Sequence, residues 1–211
     1  MSARSRDKPR CRDCSLTPQT CLCATLPTVV PQTRFAIVQH AREEPKPTNT
    51  GRVFAKMVQG TALVRYGMRA PAFDPGVIAD PSIDWWLLFP REGAPELPVP
   101  PPVPAPGRAR GIVLLDGTWH QCSRMSRRVP IVSELPCLAL PPGPPSIWTV
   151  RTQHDPRGMS TFEAGLRVLS LWEGEAIAAP VREAFERITA TLLHLKGKLP
   201  SAEVPEHFRT P

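Results

Sequence analysis

The sequence predicts an α/β domain with a mostly parallel sheet flanked by helices, and three observations predict it. Short apolar runs recur at 34–39 (RFAIVQ), 85–89 (WWLLF) and 111–115 (GIVLL) without polar alternation, as strands buried on both faces of a sheet require. Segments of helical period accompany them; in the last, Val181, Phe185, Ile188, Leu192 and Leu195 keep one face suited to covering a sheet. The run at 112–115 stops abruptly at Asp116, Gly117, Thr118 and Trp119. An acid at the carboxyl end of a parallel strand lies where open α/β sheets collect ligands, because the next turn exposes backbone donors and the next helix presents its N-terminus.

The 211 residues suit one medium domain with a small appendage: a basic, cysteine-bearing segment at 1–30, a main domain at 31–200 and a tail at 201–211. No apolar run is long enough to span a membrane and MSARSRDKPR lacks a signal-like apolar core, so a soluble cytoplasmic protein is expected. A net charge of +7 favours a polyanionic partner. Arg4, Arg6, Lys8, Arg10 and Arg12, opposed only by Asp7 and Asp13, read either as an RNA-binding arm or as a solvated tail.

Cys11, Cys14, Cys21 and Cys23 give C-x2-C-x6-C-x-C within 13 residues. Four thiolates this close can surround one tetrahedral Zn²⁺, a closed site that organises the segment rather than catalysing; redox and iron–sulfur roles are the alternatives. Cys122 and Cys137 lie in apolar surroundings and read as core thiols.

Along the chain, the strand at 34–39 leads to His40 and a polar loop, then to a helix expected from about Thr50 to Tyr66, capped by Thr48 or Asn49. Its face carries Phe54, Met57, Val58, Thr61 and Ala62, while Arg52 and Lys56 stand outside that face, as phosphate contacts or as ordinary surface. A short strand is expected at 76–79 and a better one at 85–89. Eight prolines between 90 and 106 make an extended loop that cannot pack a core, a lengthened connection between neighbouring strands. A short helix with Arg124, Arg127 and Arg128 follows the acid; strands are expected at 137–140 and 147–150. Ser160 and Glu163 form a capping box for a helix running to about Trp172, and Pro180 opens the last helix.

Nucleoside-phosphate and hydrolase signatures are missing: there is no GxGxxG, P-loop or HExxH. Asp116 can be read as a helix cap or as a ligand-facing group, and the capping box alone can account for Ser160 and Glu163.

Five blocks taken together resemble the DTW-domain family, whose bacterial members are tRNA-uridine aminocarboxypropyltransferases. They are the four cysteines; His40 with TNTGR at 48–52; LLFP at 87–90; DGTW at 116–119 with Arg124 and Met125; and Arg151 followed by STFEA at 160–164. Ala41 stands where the family has proline, Trp148 where it has tyrosine and Cys122 where alanine is common; the proline loop is an insertion. The resemblance implies a SPOUT-like knotted fold holding S-adenosylmethionine, whose 3-amino-3-carboxypropyl group passes to N3 of a tRNA uridine, in the variable loop, leaving 5′-methylthioadenosine. It implies that Asp116 accepts the N3 proton or orients the sulfonium. It places Leu88, Phe89, Pro90, Gly117, Thr118, Trp119, Arg151, Ser160, Thr161 and Glu163 at the cofactor, Arg151 on its carboxylate and Glu163 on its amino group. His40, Asn49, Thr50, Arg52 and Arg124 are implied RNA contacts. The rival readings are a SPOUT-type RNA methyltransferase, a non-catalytic zinc-containing RNA-binding protein, and the same chemistry on ribosomal RNA.

Overall fold

A computed structural model describes residues 9–11, 13–14, 16–18, 21–151 and 158–200. Five strands form one sheet: β1 (Arg34–His40), β2 (Ala62–Tyr66), β3 (Ile83–Leu88), β4 (Ala109–Asp116) and β5 (Cys137–Leu138), in spatial order β2-β1-β4-β3-β5 with every pairing parallel. Among the described residues four helices flank it: α1 (Gly51–Met57), α2 (Trp119–Arg128), α3 (Thr161–Val168) and α4 (Glu175–Leu195), with a π-helical turn at Leu169–Glu173 between the last two. No helix of the described residues is long and apolar enough to cross a membrane.

Side chains alternate across the pleat, and this sorts the core into two layers. Phe35, Ile37, Ile112 and Leu114 face a layer containing α1, α3 and α4; Ala36, Val38, Val113 and Leu115 face α2 with Val129 and Val132 beyond it. All eight strand residues are buried, each contributing on the order of 1–3 kcal/mol of transfer free energy, with alanine least. The first layer holds a run of rings: Phe35 on Phe54 at 5.2 Å, Phe54 on Phe162 at 5.6 Å, Phe162 on Phe185 at 4.0 Å and Phe185 on Trp148 at 5.3 Å. A Cβ at Gly165 would lie 2.5 Å from the Phe54 ring, so this glycine lets α3 cross α1 at close range. Cys14, Leu16, Leu22 and Val29 join the same layer, so the cysteine segment is seated on the main core.

Several local expectations are corrected. The helix expected to Tyr66 ends at Met57, where Val58 turns extended (φ −104°, ψ 102°) and bridges Val29, and Gly60 takes φ 79°. Ala62–Tyr66 then form the edge strand β2, because pairing with β1 outweighs a helical period that continues past the break. Residues 76–79 are a turn, with the amides of Ile78 and Ala79 both donating to the Pro75 carbonyl at 2.8 Å. The expected strand at 137–140 is cut to two residues, and 147–150 is not a strand: the amides of Ile147 and Trp148 donate to Glu163. The helix from Thr161 does run to Glu173 as expected, its last turn π-helical, whereas α4 starts at Glu175 with Pro180 inside it. The proline insertion does join adjacent strands β3 and β4, yet it is not wholly outside the fold. Glu96 bridges Ala139 in parallel, Leu97 is buried, and the Pro98 carbonyl accepts from Trp172 Nε1 at 2.9 Å.

Candidate functional site

β1 and β4 are neighbours, but the connection through α1 leads outward to β2 and the one through α2 leads the other way to β5. Where successive connections diverge, a crevice opens outside the carboxyl ends of the two strands. Gln39 and Asp116 are paired in register there.

Asp116 is buried, and its carboxylate binds three elements together. Oδ2 accepts from Gln39 Nε2 at 2.8 Å and from Asn49 Nδ2, and Oδ1 accepts from Thr161 Oγ1 at 2.9 Å. Asn49 also caps α1 as expected, its Oδ1 accepting from the Arg52 amide at 3.1 Å. A Cβ at Gly51 would stand 3.1 Å from the Asp116 carboxyl, tight enough that the carboxylate would have to give by a few tenths of an ångström. The N-termini of α2 and α3 are adjacent, and their dipoles favour a negative charge. Burial, then the charge of Asp116, push the Cys122 thiol up, so it stays protonated, in keeping with a core thiol. Among the described residues no cation pairs with Asp116; all its partners are neutral donors.

Thr118 and Gln121 form a capping box on α2: the Thr118 amide donates to Gln121 Oε1 at 2.8 Å, and the Gln121 amide to Thr118 Oγ1 at 3.3 Å. Trp119 is the next residue and is 40% exposed, tilted against Phe89 at 6.0 Å. Leu88 is buried, and the Phe89 amide continues the pairing with β5 by donating to the Leu138 carbonyl at 2.9 Å. Cys137 Sγ donates to the Phe89 carbonyl at 3.0 Å, and burial raises this thiol's pKa. Thr50 Oγ1 accepts from the Phe162 amide at 3.4 Å, which joins α1 to α3.

Ser160 and Glu163 form the expected capping box, and Glu163 does more than cap. Its oxygens accept from Ser146 Oγ at 2.9 and 2.8 Å, the Ile147 amide at 2.8 Å, the Ser160 amide at 2.7 Å and Ser160 Oγ at 2.8 Å. Arg151 donates through Nη1 to the buried Glu43 at 2.9 Å and through Nε to Thr48 Oγ1 at 2.7 Å, while its buried Nη2 has no partner. Lys46 is the second cation on Glu43, and Arg52 Nη2 donates to the Lys46 carbonyl at 3.0 Å. The structure therefore gathers Asn49, Thr50, Asp116 and Thr161 into one network, and commits Arg151 and Glu163 to tethering loops beside it.

An open cleft of about 520 Å³ lies at the carboxyl ends of β1 and β2 beside α2, lined by His40, Arg42, Tyr66, Gly67, Thr118, His120, Gln121, Arg124, Met125 and Arg128. His40 and Arg124 were expected RNA contacts, and Arg128 belonged to the basic cluster seen in the sequence. Arg42, Tyr66 and His120 were missed. Tyr66 was hidden by the misread helix, and Arg42 could have been found as the cation two residues past a strand end.

At the N-terminal segment the Sγ atoms of Cys11, Cys14, Cys21 and Cys23 all lie within 4.8 Å of one another, with Cys11–Cys23 at 3.4 Å and Cys14–Cys21 at 3.6 Å. Together they could hold a metal ion. Burial opposes ionisation of Cys11, but the Cys14 and Asp13 amides and the Cys23 and Cys21 thiols outweigh it and bring it down to about 7. The expected basic arm falls largely on residues 1–8 and 12, and the tail on 201–211, outside the described residues.

Among the described residues the sheet is all-parallel, its connections diverge at β1 and β4, and a polar, cation-lined cleft lies at its carboxyl edge, the features of an open α/β domain. The family model described as the DTW domain matches residues 8–193, and the chain belongs to that family. The family includes tRNA-uridine aminocarboxypropyltransferases, which ties the chain to tRNA modification. No solved structure matches the chain.

Proposed function

We propose that the protein transfers the 3-amino-3-carboxypropyl group of S-adenosylmethionine to N3 of a tRNA uridine. The observation that carries this reading is the buried Asp116 of the DGTW block, whose charge is met, among the described residues, by neutral donors alone. A buried anion of this kind favours a cationic guest, and a sulfonium is one. The co-substrate supplies an activated carbon and a neutral leaving group, 5′-methylthioadenosine. Gln39, Asn49 and Thr161 fix the carboxylate and already occupy both oxygens, so Asp116 acts by orienting the sulfonium rather than by carrying a proton. Leu88, Phe89 and Pro90 with Gly117, Thr118 and Trp119 bring apolar and aromatic surface to the adenosine side. Arg151 offers the unpartnered Nη2 to the carboxylate. Ser160 and Glu163 serve through the loop they hold. The chain leaves β5 and returns on the opposite face as α3 beside Asp116, a path suited to a SPOUT-like knotted enclosure. Asn49, Thr50 and Arg52 position the RNA side together with the cleft cations Arg42, Arg124 and Arg128.

The same reading gives the four cysteines a structural zinc. A tetrahedral site with Zn–S of about 2.3 Å has sulfur–sulfur edges of about 3.8 Å, which the pairs at 3.4 and 3.6 Å approach. One zinc per chain by elemental analysis, with a lowered Tm after chelation, is the expected result.

The deciding experiment incubates purified protein with tRNA and S-adenosylmethionine labelled separately in the methyl and in the amino-acid carbons. Label from the amino-acid carbons in a modified uridine, with 5′-methylthioadenosine released, is expected. Methyl label in the RNA would make it a methyltransferase, and heat-silent titration with S-adenosylmethionine would make it a binding protein.

A further inference from the structure

His40 ends β1, and its ring opens onto the cleft. Backbone bonds on either side fix it: the Ala41 amide donates to the Tyr66 carbonyl at 2.8 Å, and the Glu43 amide to the His40 carbonyl at 2.8 Å. Its Nδ1 accepts from the Arg42 amide at 3.1 Å. An accepting Nδ1 leaves the proton on Nε2 in the neutral ring, so the tautomer is set by the main chain. Nε2 is directed at Gly67, where an added Cβ would lie 3.7 Å away and where φ of +88° requires glycine. Among the described residues no acceptor meets Nε2. The ring is thus a fixed single donor facing an open cleft.

We propose that His40 Nε2–H donates to the uracil carbonyl beside N3 and stabilises the negative charge that develops on that oxygen as N3 loses its proton. This rests on the functional reading above. The step balances as follows. The N3 proton leaves to water in the cleft, and the N3 electron pair forms the bond to the γ-carbon. The carbon–sulfur pair stays on sulfur, and the positive charge of the sulfonium is consumed. Nδ1 is occupied by the Arg42 amide, so His40 does not accept the N3 proton. Its contribution is a donor aimed at the place where charge appears.

The surroundings suit a neutral ring and an anionic base. Burial lowers the His40 pKa, followed by Arg42; Glu43 opposes, and Lys46 and Arg124 lower it further. Arg42, Glu43 and Lys46 come from the loop after β1, His120, Arg124 and Arg128 from α2, and Tyr66 from β2. The cations that discharge the imidazole also favour an ionised uracil N3.

The test compares His40→Ala, His40→Gln and His40→Asn in the full chain with tRNA, following modified uridine against pH. A glutamine amide reaches the Nε2 position, whereas asparagine mimics only Nδ1. His40→Ala and His40→Asn are expected to lower kcat roughly 100-fold, with KM for S-adenosylmethionine unchanged and the alkaline rise of the rate moved to higher pH. His40→Gln should recover much of the rate. Nitrogen-15 NMR of the free protein should show a proton on Nε2 and none on Nδ1 of His40. An active wild type whose His40→Ala variant keeps its kcat and pH profile overturns the inference alone, as does equal loss in the Gln and Asn variants or a ring protonated on Nδ1. A wild type that leaves every tRNA uridine unmodified overturns the functional reading and the inference with it.

Discussion

Two buried carboxylates stand at opposite ends of the β1–β4 pair, and they are held by similar donors to opposite ends. At the amino end, Glu173 accepts from the Gln32 amide at 2.8 Å, the Thr33 amide at 3.0 Å and the Thr33 hydroxyl, and it also pairs with Arg110 at 3.4 Å. Arg110 donates through Nε to Thr33 Oγ1 at 3.0 Å and lies 5.2 Å over the Trp172 ring, so the charge is answered within the fold. At the carboxyl end, Asp116 has its threonine and two amides and, among the described residues, no cation. A compensated buried charge is a fastening, whereas one left with neutral donors is an electrostatic vacancy for a cationic ligand. The lesson is that two carboxylates gripped by similar hydroxyl and amide donors differ in whether an arginine of the described fold answers their charge.

The largest effect should come from erasing that distinction at the carboxyl end. Asp116→Asn keeps the shape and removes the charge, and transfer should fall at least about 100-fold, while circular dichroism and Tm stay near wild type. Activity within tenfold of wild type would refute the sulfonium-orienting role. Asp116→Ala is a different experiment, since it strands the donors of Gln39, Asn49 and Thr161 and should destabilise by roughly 3 kcal/mol as well.

At the amino end the prediction reverses. Glu173→Gln leaves the half-buried Arg110 beside a neutral amide, which should cost about 3 kcal/mol and roughly 10 °C in Tm, with turnover per folded molecule unchanged. A loss of turnover without a loss of Tm would mean that the two ends are not independent. The acid limb sharpens this. Burial would raise the Glu173 pKa, but the Thr33 hydroxyl, the Gln32 and Thr33 amides and Arg110 outweigh it and hold the group below the ordinary glutamate value. A carboxyl depressed in the folded state gives stability that is complete above its unfolded pKa and lost as pH falls through the folded one. The difference between wild type and Glu173→Gln should therefore shrink below about pH 4, measured as Tm against pH.

How much of this could be read beforehand depended on how far apart the contacting residues lie in the chain. Asp116 stood out because an unbroken apolar run ended on it, and Ser160 and Asn49 declared themselves as caps by local spacing. Glu173 gave no such sign, since its partners Gln32 and Thr33 are 141 and 140 residues away. β2 was read as helix because its ALVRY pattern, with Arg65 exposed and Tyr66 half-buried, lacks the apolar run that betrayed β1 and β4. Residues 147–150 look β-branched and apolar in part, but the Glu163 carboxylate claims the Ile147 and Trp148 amides before any strand can. Local chemistry was legible; competition for the same backbone donor across the fold was not.

The smallest effect concerns the cleft, where the vacancy meets solvent. Arg42 and Arg128 line it without a carboxylate partner among the described residues, in contrast to Arg110 at the amino end, which is spoken for by Glu173. If these cations meet RNA phosphates, replacing each with glutamine releases one fewer counterion on binding, and the slope of log affinity against log salt should flatten by about 1 per substitution. The loss at moderate salt should be several-fold, equal for RNA of any sequence, and without effect on S-adenosylmethionine binding. Arg110→Gln provides the control from the other end: it should lower Tm and leave the salt slope untouched. A slope that moves with Arg110 and stays fixed with Arg42 and Arg128 would place the RNA on the wrong end of the sheet, and the uncompensated charge of Asp116 would then need a different guest.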